Sequence, residues 1–123
     1  MTSVQFTTED LQGAPAGRVI KIVHIIGQLD ESNVDENART VYQLIESVPQ
    51  GLHLIFELSG LEYMNSKSIG YMTDWYSKLS ATGGRLVLAS ARDNILDILQ
   101  VVGLTQLINT FATLEEAKLA VMQ

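Results

Sequence analysis

The apolar positions of the chain change period several times, and each change marks an element. Val4 and Phe6 alternate with polar residues over residues 2–8, which reads as a short strand. Glu9–Gly17 carries Gly13, Pro15 and Gly17, a loop or hairpin connection. Val19–Ile26, VIKIVHII, is almost unbroken and rich in β-branched residues. It predicts a central strand covered on both faces, closed by Gly27, with Lys21 and His24 near the rim. From Val34 the spacing turns helical. Val34, Ala38, Val41, Leu44, Ile45 and Val48 share one stripe, and Pro49-Gln50-Gly51 stops it. Asp30, Ser32 and Asn33 are candidates for the N-cap.

The next strand is Leu54, Ile55, Phe56 and Leu58, broken only by Glu57 and ended by Ser59-Gly60. Leu61, Tyr63 and Met64 form a second short apolar patch at the edge of the following helix. Asn65, Ser66 and Ser68 are N-cap residue types. Ile69, Met72, Trp75, Tyr76 and Leu79 then recur at helical spacing. Gly83-Gly84 turns the chain into a strand at Arg85–Ala89. Ser90 or Asp93 is expected to cap a third helix, with Ile95, Leu96, Ile98, Leu99 and Val102 inward and Gly103 as C-cap. Leu107–Phe111 reads as a last, weaker strand. Thr113-Leu114-Glu115-Glu116 is a capping box. It opens a final helix carried by Leu114, Ala117 and Val121, with Leu119 and Ala120 beside them.

The order is β-β-α-β-α-β-α-β-α. Alternation after an opening antiparallel pair implies an α/β fold with right-handed crossovers, a mixed sheet of about five strands, in one domain over residues 1–123. Ile22, Ile25, Leu54, Phe56, Val87 and Leu88 are the expected core.

Composition narrows the function classes. A chain of 123 residues is one domain by size, and 46% apolar residues exclude disorder. No apolar run approaches the length of a membrane span, so no membrane insertion is expected. The opening MTSVQFTTEDLQ does not read as a signal peptide. Cysteine is absent, which removes disulfides, thiolate catalysis and zinc–cysteine sites and fits a cytoplasmic protein. A net charge of −6 argues against nucleic acid and anionic membranes, and leaves basic or mixed-charge protein partners.

Candidate chemistry gathers where the second long strand hands over to a helix. In a parallel sheet that is the carboxyl end of a strand, where sites lie. Ser66 at a helix start reads as a capping residue. The same place suits a phosphate, because free N–H groups and the helix dipole stabilise it. Asp30, Glu31, Asp35 and Glu36 crowd one helix start, where the dipole favours carboxylates. Their consecutive positions do not converge on a metal, and a charged rim of an interface is a secondary reading. His24 and His53 read as satisfied strand residues. Of Tyr63, Tyr71, Trp75 and Tyr76, most fit the core face of the second helix. Trp75 reads as core or as part of a partner-facing groove. No Gly-rich phosphate loop, nucleophile elbow or His-x-x-Glu pair points to an enzyme.

The pattern Leu58-Ser59-Gly60-Leu61-x-Tyr63-Met64-Asn65-Ser66-x-x-Ile69-Gly70 resembles the core of STAS domains, the family of anti-sigma factor antagonists. That family shows Asp-Leu-Ser-x-Leu-x-x-Met-Asp-Ser-Ser/Thr-Gly-Leu-Gly here, and the Ser after the Asp is its regulatory phosphorylation site. Ser66 matches that Ser. Asn65 stands at the Asp, Lys67 at the second hydroxyl residue, Ser68 at the first Gly and Gly70 at the second. Gly27-Gln28-Leu29-Asp30, Gly83–Leu88 and Val102-Gly103-Leu104 resemble further family segments in the same order.

The resemblance implies an anti-sigma factor antagonist. It would bind a serine-kinase anti-sigma factor when unphosphorylated and be switched off by phosphorylation of Ser66. A PP2C-type phosphatase would restore binding. The implied partner-binding residues are Gly27, Asp30, Asn65, Ser66, Lys67, Ser68 and Ile69, with no catalytic residue, metal or cofactor. Two other readings stay open. One is a non-switching STAS module of a larger assembly, such as a stressosome-type scaffold or the soluble subunit of a lipid transporter. The other is a small-ligand or nucleotide module at the strand ends.

Overall fold

The β-branched run after Gly17 pairs back onto the chain's first strand. In the computed structural model, which describes residues 3–123, β1 (Val4–Leu11) and β2 (Val19–Leu29) form an antiparallel hairpin. Thr2, the expected first residue of β1, lies outside the described residues. β1 runs past the expected Thr8 because its polar end finds partners across the hairpin. Asp10 meets Lys21 at 2.5 Å and Glu9 meets His24 at 3.0 Å.

β3 (Leu52–Glu57) lies parallel to β2 with Ile22 beside Ile55. β5 (Arg85–Ala89) continues parallel to β3, and β6 (Asn109–Phe111) parallel to β5. The sheet order is β1-β2-β3-β5-β6, and β4 (Leu61–Met64) pairs with β2 beyond the end of β3. The mixed sheet thus has six strands. The added one is the short apolar patch Leu61–Met64.

β2 does not stop at Gly27. The register shifts there, and the strand resumes through Leu29 opposite Met64. Glycine is required at the bend: its φ is +111°, and a Cβ would sit 2.3 Å from the backbone oxygen of Ser3.

Helices α1 (Val34–Ser47), α2 (Ser66–Ala81) and α3 (Asp93–Val101) share one face of the sheet. Val23, Ile25, Leu54, Phe56 and Leu88 pack against them. α4 (Leu114–Met122) covers the other face, over Ile20, Ile22, Ile55 and Val87. Alternation of side chains puts Leu54 and Phe56 on the first face and Ile55 on the second, so β3 is buried on both. The six expected core residues are all buried to within 1% exposure.

α4 is held at both ends. Thr113 accepts the Glu116 N–H at 3.2 Å, and its hydroxyl meets the Glu116 carboxylate. Arg18 donates to the carbonyls of Val121 and Gln123, and Arg85 to that of Ala120. Cations at a helix C-terminus complement its dipole.

α3 departs from expectation at both ends. Its N-cap is Arg92, without a side-chain cap bond, and Asp93 is the first helical residue. Ser90 instead takes a left-handed conformation, φ +60°, and its N–H bonds the Phe111 carbonyl. Val102, expected inward, is 52% exposed. Gly103 is left-handed and turns the chain into a 3-10 turn at Leu104–Gln106. Leu104 and Ile108 fill the core in place of Val102, while Leu107 is exposed and β6 begins only at Asn109.

Candidate functional site

Asn65 fixes the turn between β4 and α2. Its backbone is extended, φ −96° and ψ 175°, and its Oδ1 accepts from the Ser68 N–H at 3.0 Å and from the Ser68 hydroxyl at 2.6 Å. One side chain therefore caps the helix and holds a buried hydroxyl. Ser66 is the first helical residue, and its side chain is exposed, as is that of Lys67. Ser68, expected among the partner-facing residues, is 2% exposed, so its hydroxyl is turned inward to Asn65 and away from any docking surface. Ile69 is half-buried against the core.

The extension of β2 brings the second segment to this turn. Gly27 pairs with Leu61 and Leu29 with Met64, so Asp30 leaves the sheet beside Asn65. The loop that follows is tied to itself. Asp30 accepts from the Ser32 N–H at 2.9 Å and its hydroxyl at 2.6 Å. Asn33 accepts from the Asp30 N–H and donates to the Gln28 carbonyl, so it holds this loop and does not cap α1 with its side chain.

The starts of α1 and α2 are cross-linked. Asn65 Nδ2 donates to Glu31 at 3.4 Å. Asp35 takes Lys67 Nζ at 2.9 Å and the Tyr71 hydroxyl at 2.7 Å. The Tyr71 hydroxyl first, and then Lys67, hold the Asp35 carboxyl below its ordinary value. Asp35 in turn raises both Lys67 and Tyr71. Deeper in the seam Tyr42 donates to Asp74, and burial followed by that bond pushes the Tyr42 phenol up.

Aromatic rings set the distance between these helices. Tyr71 stacks on Trp75 with centroids 5.9 Å apart, and Trp75 meets Phe56 edge-on at 5.5 Å. Trp75 is core, whereas Tyr63, on β4, is 47% exposed. His53 is buried, with Nδ1 on the Gly51 carbonyl at 2.9 Å, a structural role. The acidic residues do not gather: among the described residues no group of three or more His, Cys, Asp or Glu is poised for a metal ion. None of the described helices is long and apolar enough to cross a membrane.

The pairs Lys67–Asp35 and Tyr42–Asp74 escaped the sequence reading. Each joins residues 32 apart on different helices, and no periodicity reports which helices become neighbours. The donors and carboxylates were visible, but their proximity was not.

Comparison with known proteins follows the same outline. No curated protein sequence matches the chain significantly. Among solved structures, an anti-sigma factor antagonist from Mycobacterium paratuberculosis is similar with TM-score 0.82 and 22% identity, covering 98% of this chain and 96% of that one. The phosphorylated form of SpoIIAA, a Bacillus cell fate determinant, is similar with TM-score 0.68 and 23% identity, covering 95% and 99%. The STAS domain of a SulP transporter from Vibrio cholerae is similar with TM-score 0.65 and 16% identity, covering 85% and 80%. At these identities the likeness is one of fold. The family model described as the STAS domain matches residues 14–117, most of the chain. The chain belongs to the STAS domain family.

Proposed function

We propose that the protein is an anti-sigma factor antagonist that works by partner switching at Ser66. The observation that carries this reading is the exposed hydroxyl of Ser66 at the first position of α2, at the family's motif position and outside the capping network. Asn65 does the capping, so Ser66 is free to be modified without loss of the helix start. A phosphate there would meet unpaired helix N–H groups and lie one residue from Lys67, both favourable to the fold. It would also place about −1.5 to −2 charges on the surface offered to a partner.

In this reading the unmodified protein binds a serine-kinase anti-sigma factor through the Ser66 turn and the flanking Gly27–Asp30 segment. Phosphorylation by that kinase ends binding, and a PP2C-type phosphatase restores it. The protein is a kinase substrate and not an enzyme, and it acts in the cytoplasm without a cofactor. Its similarity to the Mycobacterium and Bacillus antagonists supports this choice among STAS roles.

One observation favours a second reading. Asn65 stands where the family carries a carboxylate, and its amide is tied to Glu31 and Ser68. A turn without that carboxylate suits a STAS module that does not switch, in a stressosome-type scaffold or a transporter assembly.

Titration calorimetry separates the two. The kinase is first recovered by pull-down, then titrated with wild type, Ser66→Ala, Ser66→Asp and the phosphoprotein. The switch predicts that wild type and Ser66→Ala bind, that phosphoprotein does not, and that Ser66→Asp is weakened less than the phosphoprotein. An uncompensated charge buried in an interface costs several kcal/mol, which is orders of magnitude in affinity. Equal binding by wild type and phosphoprotein would favour the scaffold reading.

A further inference from the structure

Beside the Ser66 turn, α1 and α2 enclose an open groove of about 360 Å³, lined by Tyr42, Lys67, Gly70, Tyr71 and Asp74. We propose that this groove receives the guanidinium of an arginine presented by the protein's partner. The inference deepens the partner-binding reading above and rests on it.

Gly70 is the first sign. It lies inside α2, where glycine is a poor helix former. No packing explains it: a Cβ there would have nothing within 4 Å. Its effect is to leave bare backbone between neighbours on the same helix face, Lys67 at i−3, Tyr71 at i+1 and Asp74 at i+4. A flat side chain can approach this strip closely.

The groove has the chemistry of a guanidinium site. Asp74 Oδ2 accepts the Tyr42 hydroxyl, and among the described residues Oδ1 accepts no hydrogen bond. Asp35, by contrast, is occupied by both Lys67 and Tyr71. Asp74 is thus the carboxylate with capacity to spare. The rings of Tyr42 and Tyr71 line the groove, one face of Tyr71 being taken by Trp75, and such rings attract a planar cation. One of these rings already has a cation of the same chain beside it, since Lys78 Nζ, outside the groove's lining, lies 6.0 Å from the Tyr42 centroid.

Arginine fits better than lysine. Its planar fork stacks on rings and pairs with a carboxylate at once, and it is less strongly hydrated. Lys67 at the groove's end is neutralised by Asp35 and is a weak repulsive element. The net charge of −6 favours approach of a basic surface.

The test is an NMR titration with N-acetyl-argininamide, with N-acetyl-lysinamide in parallel, reading the Gly70, Tyr71 and Asp74 amides. Saturable shifts at these residues are expected for the arginine probe, with the lysine probe several-fold weaker. Asp74→Asn keeps the shape and the Tyr42 contact, and should weaken the arginine probe by about fivefold or more. Gly70→Gln should abolish the shifts while raising the melting temperature, because it fills the groove and improves the helix. Non-saturable shifts, equal response to both probes, or an unaffected Asp74→Asn variant would overturn the proposal.

Kinase calorimetry keeps the two readings apart. Phosphoprotein and unmodified protein binding equally would end the switch and leave the groove titration standing. An Asp74→Asn protein that binds both probe and kinase as wild type does would end the groove and leave the switch standing.

Discussion

Asp35 holds Lys67 at 2.9 Å across the α1–α2 seam, one residue from the exposed Ser66. The Asp35 carboxyl is depressed, first by the Tyr71 hydroxyl and then by Lys67, while both partners are raised. A depressed carboxyl stabilises the fold above its ordinary range, and that contribution fades as pH falls through the folded value. The raised Tyr71 and Lys67 contribute below their ordinary values, and theirs fades as pH rises through the folded ones. All three groups are at the surface, so water and salt screen the effect. Asp35→Asn should therefore melt slightly below wild type at neutral pH. The two melting temperatures should converge in acid and again in strong alkali. A difference that persists unchanged at both extremes would show that Asp35 acts through something other than its charge.

Asn65 and Ser66 are adjacent but should behave oppositely in stability. Asn65→Ala removes the cap of α2 and leaves the buried Ser68 hydroxyl without its acceptor. The expected loss is about 1–2 kcal/mol in urea unfolding. Ser66→Ala should stay within about 0.5 kcal/mol of wild type, as an exposed substitution outside any bonded network. Equal losses at both positions would mean that Ser66 shares the capping role.

Gly27→Ala should destabilise the fold before it touches any partner. The substitution forces an L-residue to φ +111° and drives a methyl into the Ser3 carbonyl oxygen. A cost of about 1–3 kcal/mol or more is expected from such strain, measured by thermal melting. A variant that melts like wild type would show that the β2 bend can relax.

Phe56→Ala tests the core under the site. Phe56 is fully buried on β3 and meets Trp75 edge-on. Truncation should cost about 3–5 kcal/mol. Set against a typical total of about 5–15 kcal/mol, that is a large fraction. Trp75 fluorescence followed through urea unfolding reports both the loss and any loosening of the α1–α2 seam. A loss under about 1 kcal/mol would mean that the core under the site closes over the gap.

Periodicity made most of the fold legible. β2, β3 and β5 announce themselves by nearly continuous apolar runs, and the four helices by their stripes. What escaped depends on distant partners. Leu61–Met64 buries only its two ends, so its pattern is too short to declare a strand. It becomes one because β2 continues past Gly27 to meet it. Gly27 read as a stop because glycine commonly is one, whereas here it makes a bend. Val102 continues the apolar stripe of α3, but the left-handed Gly103 swings the chain away before Val102 can be buried. At the candidate site, the residue types at the α2 start were legible. That Asn65 caps and Ser68 turns inward was not, since Asn65, Ser66 and Ser68, within one turn, could each have taken either role.

The lone helix on the back of the sheet has a consequence for how the chain is made. Ile20, Ile22, Ile55 and Val87 are made first, yet α4, which covers them, follows every strand in the element order. The Arg18 clamp on Val121 joins residues 103 apart and closes only after α4 has emerged from the ribosome. Until then one side of the half-built sheet presents a strip of branched aliphatic side chains to solvent. Premature termination before α4 would leave that strip bare for good, so a shortened product should aggregate where the whole chain folds.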